Sequence, residues 1–197
     1  MSNIYSQQLD KNAANYQPLT PITFLERAAS VYPEETAIIY GKQKYSYSEF
    51  YRRCRQLASF LSKKGIGCGD TVSVLLANTP PMLEAHYAVP MCGGVLHCIN
   101  TRLDAKSVAF QLEHAECSMF IADTAFESLV SETLAEIARK PVVIDYVDKE
   151  LKSAFTRSGS YDYEEALQSG EPEFTWTMPA DEWNAISVNY TSGTTGD

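Results

Sequence analysis

The sequence lacks the features that define several large classes of protein. Its 197 residues include 16 Lys and Arg against 25 Asp and Glu, a formal net charge of −9. A nucleic-acid-binding surface needs clustered positive charge, so nucleic acid is not an expected partner. No apolar run approaches the ~20 residues of a membrane span. The N-terminal segment has neither the basic region nor the apolar region of a secretory signal. We therefore expect a cytoplasmic protein with no membrane span.

Metal-binding and nucleophile patterns are also missing. The cysteines are odd in number and contain no C-x-x-C pair, which favours buried, reduced thiols over disulfides or zinc. They are Cys54, Cys68, Cys92, Cys98 and Cys117. The three histidines, His86, His97 and His114, do not have metal-ligand spacing. No Cys–His or Ser–His–Asp pattern indicates a nucleophile, so we assign no metal ligand and no catalytic residue.

What the sequence does contain is a regular alternation of strands and helices. Apolar strands are predicted at Thr71–Leu76, Val95–Ile99, Ser118–Ala122 and Val142–Ile144, with a further strand from Ala185 to Tyr190. Helices of 10–14 residues separate the first four strands. This order predicts an α/β fold with a largely parallel sheet and helices on both faces. A small hairpin around Gly41-Lys42 is predicted before the sheet.

Helix caps and apolar stripes support this assignment. Thr20-Pro21 is predicted to open the first helix, and capping-box spacing is found at Ser46 with Glu49 and at Thr124 with Glu127. The first helix is predicted to bury Phe24, Leu25 and Ala28, and the second to bury Phe50, Cys54, Leu57 and Leu61.

Charged residues in two segments are interpreted as surface groups. Arg52, Arg53, Arg55, Lys63 and Lys64 lie mostly off the apolar stripe of the second helix, so a solvated outer face is expected there. Glu164-Glu165 is interpreted as an exposed pair rather than as an acid/base pair.

The most informative segment is the last eight residues, Tyr190-Thr191-Ser192-Gly193-Thr194-Thr195-Gly196-Asp197. Two glycines allow the backbone to approach an anion, while hydroxyls and N–H groups can donate hydrogen bonds to phosphate. The segment is not a Walker A loop, because no Lys-Ser/Thr follows the second glycine. It is predicted to be a polyphosphate-binding loop carried by the strand before it. The alternative is an ordinary Gly/Thr turn.

These residues resemble the AMP-forming adenylating enzymes, which include acyl-CoA synthetases, peptide-synthetase adenylation domains and luciferases. The closing YTSGTTGD is similar to that family's signature loop, Y-T-S-G-T-T-G followed by x-P-K-G. Two further segments agree in order and spacing, from Tyr45 to Val72 and from Glu84 to Leu103. The resemblance covers most of residues 20–197.

The resemblance implies an ATP-dependent ligase that makes an acyl-adenylate and then an acyl-CoA, with ATP, Mg²⁺ and CoA as cofactors. Ala88-Val89-Pro90 and Ile99–Ala105 look most like ligases of small or medium-chain carboxylic acids, and so imply fatty acid metabolism. By position in the motif, the cofactor-binding residues are Thr191, Ser192, Gly193, Thr194, Thr195 and Gly196.

The resemblance also implies a domain plan. Residues 1–19 are expected to be an irregular lead-in, and residues 20–197 a truncated N-terminal AMP-binding domain with the C-terminal domain absent. The isolated chain is then expected not to catalyse adenylation. Apolar surface that the missing part would cover could be buried in a homodimer.

Two other functions remain open from the sequence. The chain could be a non-catalytic truncated paralogue that binds a nucleotide or a partner. In-frame codons for Pro-Lys-Gly in the DNA beyond Asp197 would count against a naturally truncated paralogue. It could also be an unrelated doubly wound nucleotide-binding or receiver-like module, which a comparison of ATP with NAD would distinguish.

Overall fold

The computed structural model describes residues 3–151 and 156–191. Its helices are α1 (Ile22–Val31), α2 (Tyr47–Lys63), α3 (Pro80–Met91), α4 (Ala105–His114), α5 (Glu127–Glu136) and α6 (Tyr163–Ser169). Its strands are β1 (Thr36–Tyr40), β2 (Gln43–Ser46), β3 (Thr71–Leu75), β4 (Val95–Cys98), β5 (Cys117–Asp123), β6 (Val142–Tyr146), β7 (Tyr161–Asp162) and β8 (Ser187–Val188). No helix in these ranges is both long and apolar enough to cross a membrane.

A six-stranded sheet forms the centre of the molecule. Its order is β7-β6-β5-β3-β4-β8, and every neighbouring pair is parallel. The separate β1–β2 hairpin is antiparallel. The predicted α/β fold, with a largely parallel sheet and a small hairpin, is therefore confirmed.

The sheet separates two apolar layers, as expected when alternate residues of a strand point to opposite faces. On one face, Ile121 belongs to a cluster that includes apolar residues of α1, α2, α3 and α6. On the other face, Phe120 belongs to a cluster with residues of α4 and α5. Both side chains are fully buried, so helices cover both faces as the sequence predicts.

Helix α2 has the cap and the stripe that its sequence predicts. The Ser46 hydroxyl accepts a hydrogen bond from the Glu49 N–H at 3.3 Å, and the Glu49 carboxylate accepts one from the Ser46 N–H at 2.9 Å. The apolar stripe Phe50, Cys54, Leu57 and Leu61 is buried. The helix ends before Gly65, whose φ of +89° is a conformation that glycine adopts without strain.

Several local predictions are wrong. In α1 the buried positions are Ile22 and Leu25, while Phe24 is 64% exposed. Thr124 does not cap α5; the Asp123 carboxylate instead accepts from the Ala125 N–H and begins a 3₁₀ turn before the helix. Cys68 is exposed rather than buried.

Two strands also differ from their predicted form. The strand predicted from Ala185 to Tyr190 is reduced to the two residues of β8. Strand β7 was not assigned from the sequence, because two residues carry no detectable periodicity. The domain plan of residues 1–19 and 20–197 stays a prediction.

Candidate functional site

Strand β8 brings the chain to the carboxyl edge of the parallel sheet. Leu96 lies beside Ser187 and His97 beside Val188 in the parallel β4–β8 register, and the Leu96 N–H donates to the Ile186 carbonyl at 3.0 Å. Ligands of open parallel α/β sheets bind outside the carboxyl ends of the strands. The chain therefore leaves the sheet at the edge where such a ligand would lie.

Only one of the six predicted phosphate-binding residues is described. Thr191 follows Tyr190 directly and is exposed. Ser192, Gly193, Thr194, Thr195 and Gly196 lie outside the described residues. Their role in phosphate binding stays a prediction that rests on their sequence and on the strand before them.

Tyr190 joins the end of β8 to helix α4. Its hydroxyl lies 2.7 Å from His114 Nδ1, and its ring lies 5.1 Å from the His97 ring and 6.5 Å from the Phe110 ring, centroid to centroid. Burial raises the pKa of Tyr190, so the phenol is protonated at neutral pH and can donate its hydrogen. We call Tyr190, His97, Phe110 and His114 the Tyr190 anchor.

His97 is a buried histidine of the sheet. Its side chain is fully buried, and its Nδ1 lies 2.9 Å from the Ser73 hydroxyl of the neighbouring strand. Burial lowers the pKa of His97, and the nearby Gln111 side chain acts in the opposite direction. The imidazole is therefore neutral at pH 7 and forms part of the floor beneath Tyr190.

An apolar cleft of about 540 Å³ lies on the Leu96 side of β4, the face opposite to His97. We define the apolar cleft by the hairpin residues Ile38 and Ile39, by Met82 and Leu83 of α3, and by Ile186 beside β8. Asn78, Thr79 and Ser187 add polar groups to its wall. Its position places an apolar surface beside β8, the strand that leads to the predicted loop.

A histidine–cysteine pair that the sequence did not indicate lies within the described part of the chain. The Cys98 Sγ lies 3.8 Å from His86 Nε2, and His86 Nδ1 lies 2.8 Å from the Met82 carbonyl oxygen. The carbonyl can only accept, so His86 Nδ1 donates this hydrogen bond. Burial raises the pKa of Cys98. Because only a thiolate is an effective nucleophile, this pair has no activated sulfur.

Arg53 contradicts the prediction of a solvated basic face. Its side chain is only 12% exposed, and it forms ion pairs with Glu84, which is fully buried, and with Glu164. The Nε–Oε1 distance to Glu84 is 2.5 Å, and the guanidinium donates to both carboxylate oxygens of Glu164 at 2.8 and 3.1 Å. The sequence predicts that Glu164 and Glu165 form an exposed pair. In the structure, Glu164 is instead an ion-pair partner of Arg53.

Tyr163 completes this group by donating to Glu84 Oε2 at 2.6 Å. Burial, reinforced by the Glu84 carboxylate, raises the pKa of Tyr163 well above its usual value. Burial alone would lower the pKa of Arg53, but the two carboxylates raise it above its usual value. We call Arg53, Glu84, Tyr163 and Glu164 the buried ionic network; it joins α2, α3 and α6 and keeps its arginine charged.

The fold and the ending of β8 define an α/β domain in which a Gly/Ser/Thr sequence follows directly after an edge strand of the parallel sheet. A family described as "AMP-binding enzyme" matches residues 25–197. The chain belongs to this family. The resemblance inferred from the loop and the two upstream segments is therefore confirmed.

Relatives in the family are carboxylic acid–CoA ligases. The chain is 44% identical over 198 residues to an acetate–CoA ligase of Humulus lupulus, covering 95% of this chain and 35% of the relative. It is 42% identical over 199 residues to a peroxisomal acetate/butyrate–CoA ligase of Arabidopsis thaliana, with 95% and 35% covered. A peroxisomal benzoate–CoA ligase of Arabidopsis thaliana is 43% identical over 199 residues, with 93% and 33% covered. The chain thus spans about a third of the length of these relatives.

Solved structures show the same fold. An anthranilate CoA ligase in complex with anthranoyl-AMP superposes with a TM-score of 0.82 at 16% identity, covering 95% of this chain and 35% of that one. An acyl-CoA synthetase of Brucella canis gives a TM-score of 0.66 at 18% identity, covering 77% and 27%. At these identities the likeness concerns the fold alone.

Proposed function

We propose that this chain supplies the ATP-phosphate loop of an AMP-forming carboxylic acid–CoA ligase. The observation that carries the proposal is the parallel pairing of β8 with β4, because it delivers Tyr190 and Thr191 to the carboxyl edge of the sheet. Thr191, Ser192, Gly193, Thr194, Thr195 and Gly196 are the proposed phosphate-binding residues. Membership in the AMP-binding enzyme family and the ligase relatives support it.

The chemistry of such a ligase has two steps. The acid's carboxylate attacks the α-phosphorus of ATP and pyrophosphate leaves, and the CoA thiol then attacks the acyl carbon and AMP leaves. The loop's contribution is to hold the β- and γ-phosphates in line while charge develops on the leaving oxygen. Within residues 3–151 and 156–191, no group of three or more His, Cys, Asp or Glu could hold a metal ion. Mg²⁺ enters the proposal as the cation that ATP brings with it.

The substrate class and location rest on the relatives. We propose a small or medium-chain carboxylic acid as substrate, because two of the relatives are ligases of acetate or of acetate and butyrate. A substrate of this class implies a role in fatty acid metabolism, which is part of the proposal. The cytoplasmic location stays a prediction, and the word "peroxisomal" in the names of two relatives supports a competing one.

ATP binding is the direct test of this function. We expect calorimetric titration to show that ATP binds, that pyrophosphate competes and that NAD⁺ does not. Thr191→Val removes a hydroxyl with little change of shape. It should weaken ATP binding by about 2- to 10-fold, the equivalent of one net hydrogen bond. The matched control is Thr177→Val, an exposed threonine in the segment between α6 and β8, which should leave the affinity unchanged.

The same preparation tests turnover. We propose that the 197-residue chain binds nucleotide without catalysing acid-dependent exchange of pyrophosphate into ATP, because it spans about a third of the ligases that it matches. Exchange above background would contradict the proposed inactivity and leave the loop assignment intact. Equal affinity for NAD⁺ and ATP would contradict the loop assignment and favour a general nucleotide-binding module.

A homodimer through the apolar cleft is a further proposal. Ile39, Leu83 and Ile186 form an exposed apolar rim, with 67%, 41% and 42% of their surfaces accessible. Among the described residues, strand β8 beside them is an edge strand of the sheet, and an exposed strand edge favours association with a second chain. We propose that a second copy covers this rim.

Light scattering on a size-exclusion column tests the dimer. The wild-type chain is expected at twice its 21.9 kDa mass at high concentration, and Leu83→Glu should shift it to the monomer by placing a charge in the interface. Phe24→Glu is the control, since Phe24 is also an exposed apolar residue, with 64% of its surface accessible, but does not line the cleft. A monomeric wild-type chain would overturn the proposal.

A further inference from the structure

The loop sequence cannot hold itself in place by burying side chains. Residues 191–196 are Thr, Ser and Gly only, and none of these has a large apolar side chain to bury. A phosphate-binding loop must nevertheless be placed accurately, because a displacement of about 1 Å of a positioning group can cost about 100-fold in rate. The residues that lead into the loop can contribute to this placement.

Strand β8 alone gives little support. Its register with β4 comprises two residue pairs, Leu96 with Ser187 and His97 with Val188. Beyond Val188, the Asn189 side chain donates a hydrogen bond to the Ser187 hydroxyl of its own strand at 3.5 Å, and Asn189 is exposed. The last described residue with side-chain contacts to another element is Tyr190.

Tyr190 is held by a helix that is itself well fixed. Helix α4 is capped by Asp104, whose carboxylate accepts from the Ser107 N–H at 2.8 Å, and it buries Val108 and Leu112 against the sheet. Phe110 and His114 are four residues apart and therefore lie on one side of this helix. Their rings stack at 5.4 Å, and Tyr190 meets both.

These contacts also account for an exposed aromatic residue. Phe110 is 60% exposed, so it contributes little to the core. Its ring lies against His114 and edge-on to Tyr190 at an interplanar angle of 76°. Its contacts therefore belong to the Tyr190 anchor and not to the apolar layer beneath α4.

We propose that His114 and Phe110 are positioning residues for the phosphate-binding loop and act through Tyr190. The His114–Tyr190 hydrogen bond fixes the backbone one residue before Thr191, and the aromatic contacts orient the Tyr190 ring between His97 and Phe110. The expected effect on ATP binding rests on the proposed function of the loop. The claim that His114 and Phe110 position the loop through Tyr190 does not.

Three variants test the proposal. Tyr190→Phe keeps the ring and removes the hydroxyl, and His114→Ala removes its partner. Each should raise the Kd for ATP by about 2- to 10-fold, as expected for one net hydrogen bond, with little change in the thermal midpoint of unfolding. His114→Asn places an acceptor close to the position of Nδ1 and should recover most of the affinity. Tyr32→Phe, at a half-exposed tyrosine that follows α1 and is far in sequence from the loop, should change nothing.

A second measurement needs no nucleotide. Amide hydrogen exchange at residues 191–196 should be faster in Tyr190→Phe and His114→Ala than in the wild type and in Tyr32→Phe, while exchange in β3 and β5 stays the same. Unchanged exchange would overturn the positioning claim whether or not ATP binds. If exchange responds as expected but the wild type binds no ATP, the proposed function fails and the positioning role stands.

Discussion

Replacing Glu84 with alanine is expected to lower the free energy of unfolding by about 3–5 kcal/mol, the range found when one partner of a buried ion pair is removed. The substitution leaves Arg53 without its fully buried partner and leaves the Tyr163 hydroxyl without its acceptor. Glu164 cannot fully replace Glu84, because its side chain is 34% exposed and water screens its charge.

Urea unfolding followed by circular dichroism measures this effect, and two controls make it specific. Lys63→Met breaks an ion pair whose partners are 48% and 65% exposed, so its cost should stay below about 1 kcal/mol. The double variant Arg53→Met/Glu84→Met removes both buried charges, and it should recover much of the stability that Glu84→Ala loses. A Glu84→Ala protein within 1 kcal/mol of the wild type, or a double variant no better than the single one, would show that the network is not energetically coupled.

Gly170→Ala is expected to destabilise the protein by about 1–3 kcal/mol, the usual range for overpacking. Gly170 follows α6 and has an ordinary φ of −84°, so backbone strain is not the reason. A methyl group there would lie 2.7 Å from the carbonyl carbon of Gln56 in α2. Because that neighbour is helix backbone, α2 and α6 would have to separate, which would also stretch the buried ionic network.

The matched control is Gly67→Ala. At Gly67 the nearest atom to an added methyl group is an Asp70 carboxylate oxygen at 4.0 Å, and φ is not positive. Both substitutions reduce the entropy of the unfolded chain to the same extent, so their difference in urea midpoint isolates the contact with Gln56. Equal midpoints for the two variants would mean that α6 does not pack as closely on α2 as the structure shows.

The sequence predicts the sheet well because its signal is local. Each strand from β3 to β6 is mostly apolar, as expected for strands buried on both faces, and a helix separates each strand from the next. Phe24 shows where this reasoning fails. Size and hydrophobicity favour its burial, but the direction in which α1 packs selects Ile22 and Leu25 instead.

Arg53 shows a second limit. A single position off the apolar stripe of α2 is expected to be solvated, yet its partners Glu84 and Glu164 lie 31 and 111 residues away in the chain. Such a pairing depends on how helices meet and leaves no trace in local periodicity. A glutamate within the otherwise apolar segment of α3 is the one signal that could have indicated it, since a buried carboxylate needs a partner.

The candidate site also has parts that the sequence predicts and parts that it does not. The loop sequence predicts a phosphate site, and alternation predicts the strand that leads to it. The Tyr190 anchor could not be predicted, because His114 lies 76 residues from Tyr190 and an exposed histidine at a helix end has no distinctive pattern. The pairing of Cys98 with His86 was missed for the same reason, although those residues are only 12 positions apart.

The most direct test of the central claim is residue-resolved mapping of ATP binding by amide chemical shifts. Titration of the ¹⁵N-labelled chain with ATP and Mg²⁺ should produce its largest shifts at Thr191–Gly196, with smaller shifts at Tyr190 and His114, and pyrophosphate should perturb the same amides. Shifts that cluster at the apolar cleft, or a loop whose amides do not respond at saturating ATP, would contradict the assignment of this segment as the phosphate-binding loop.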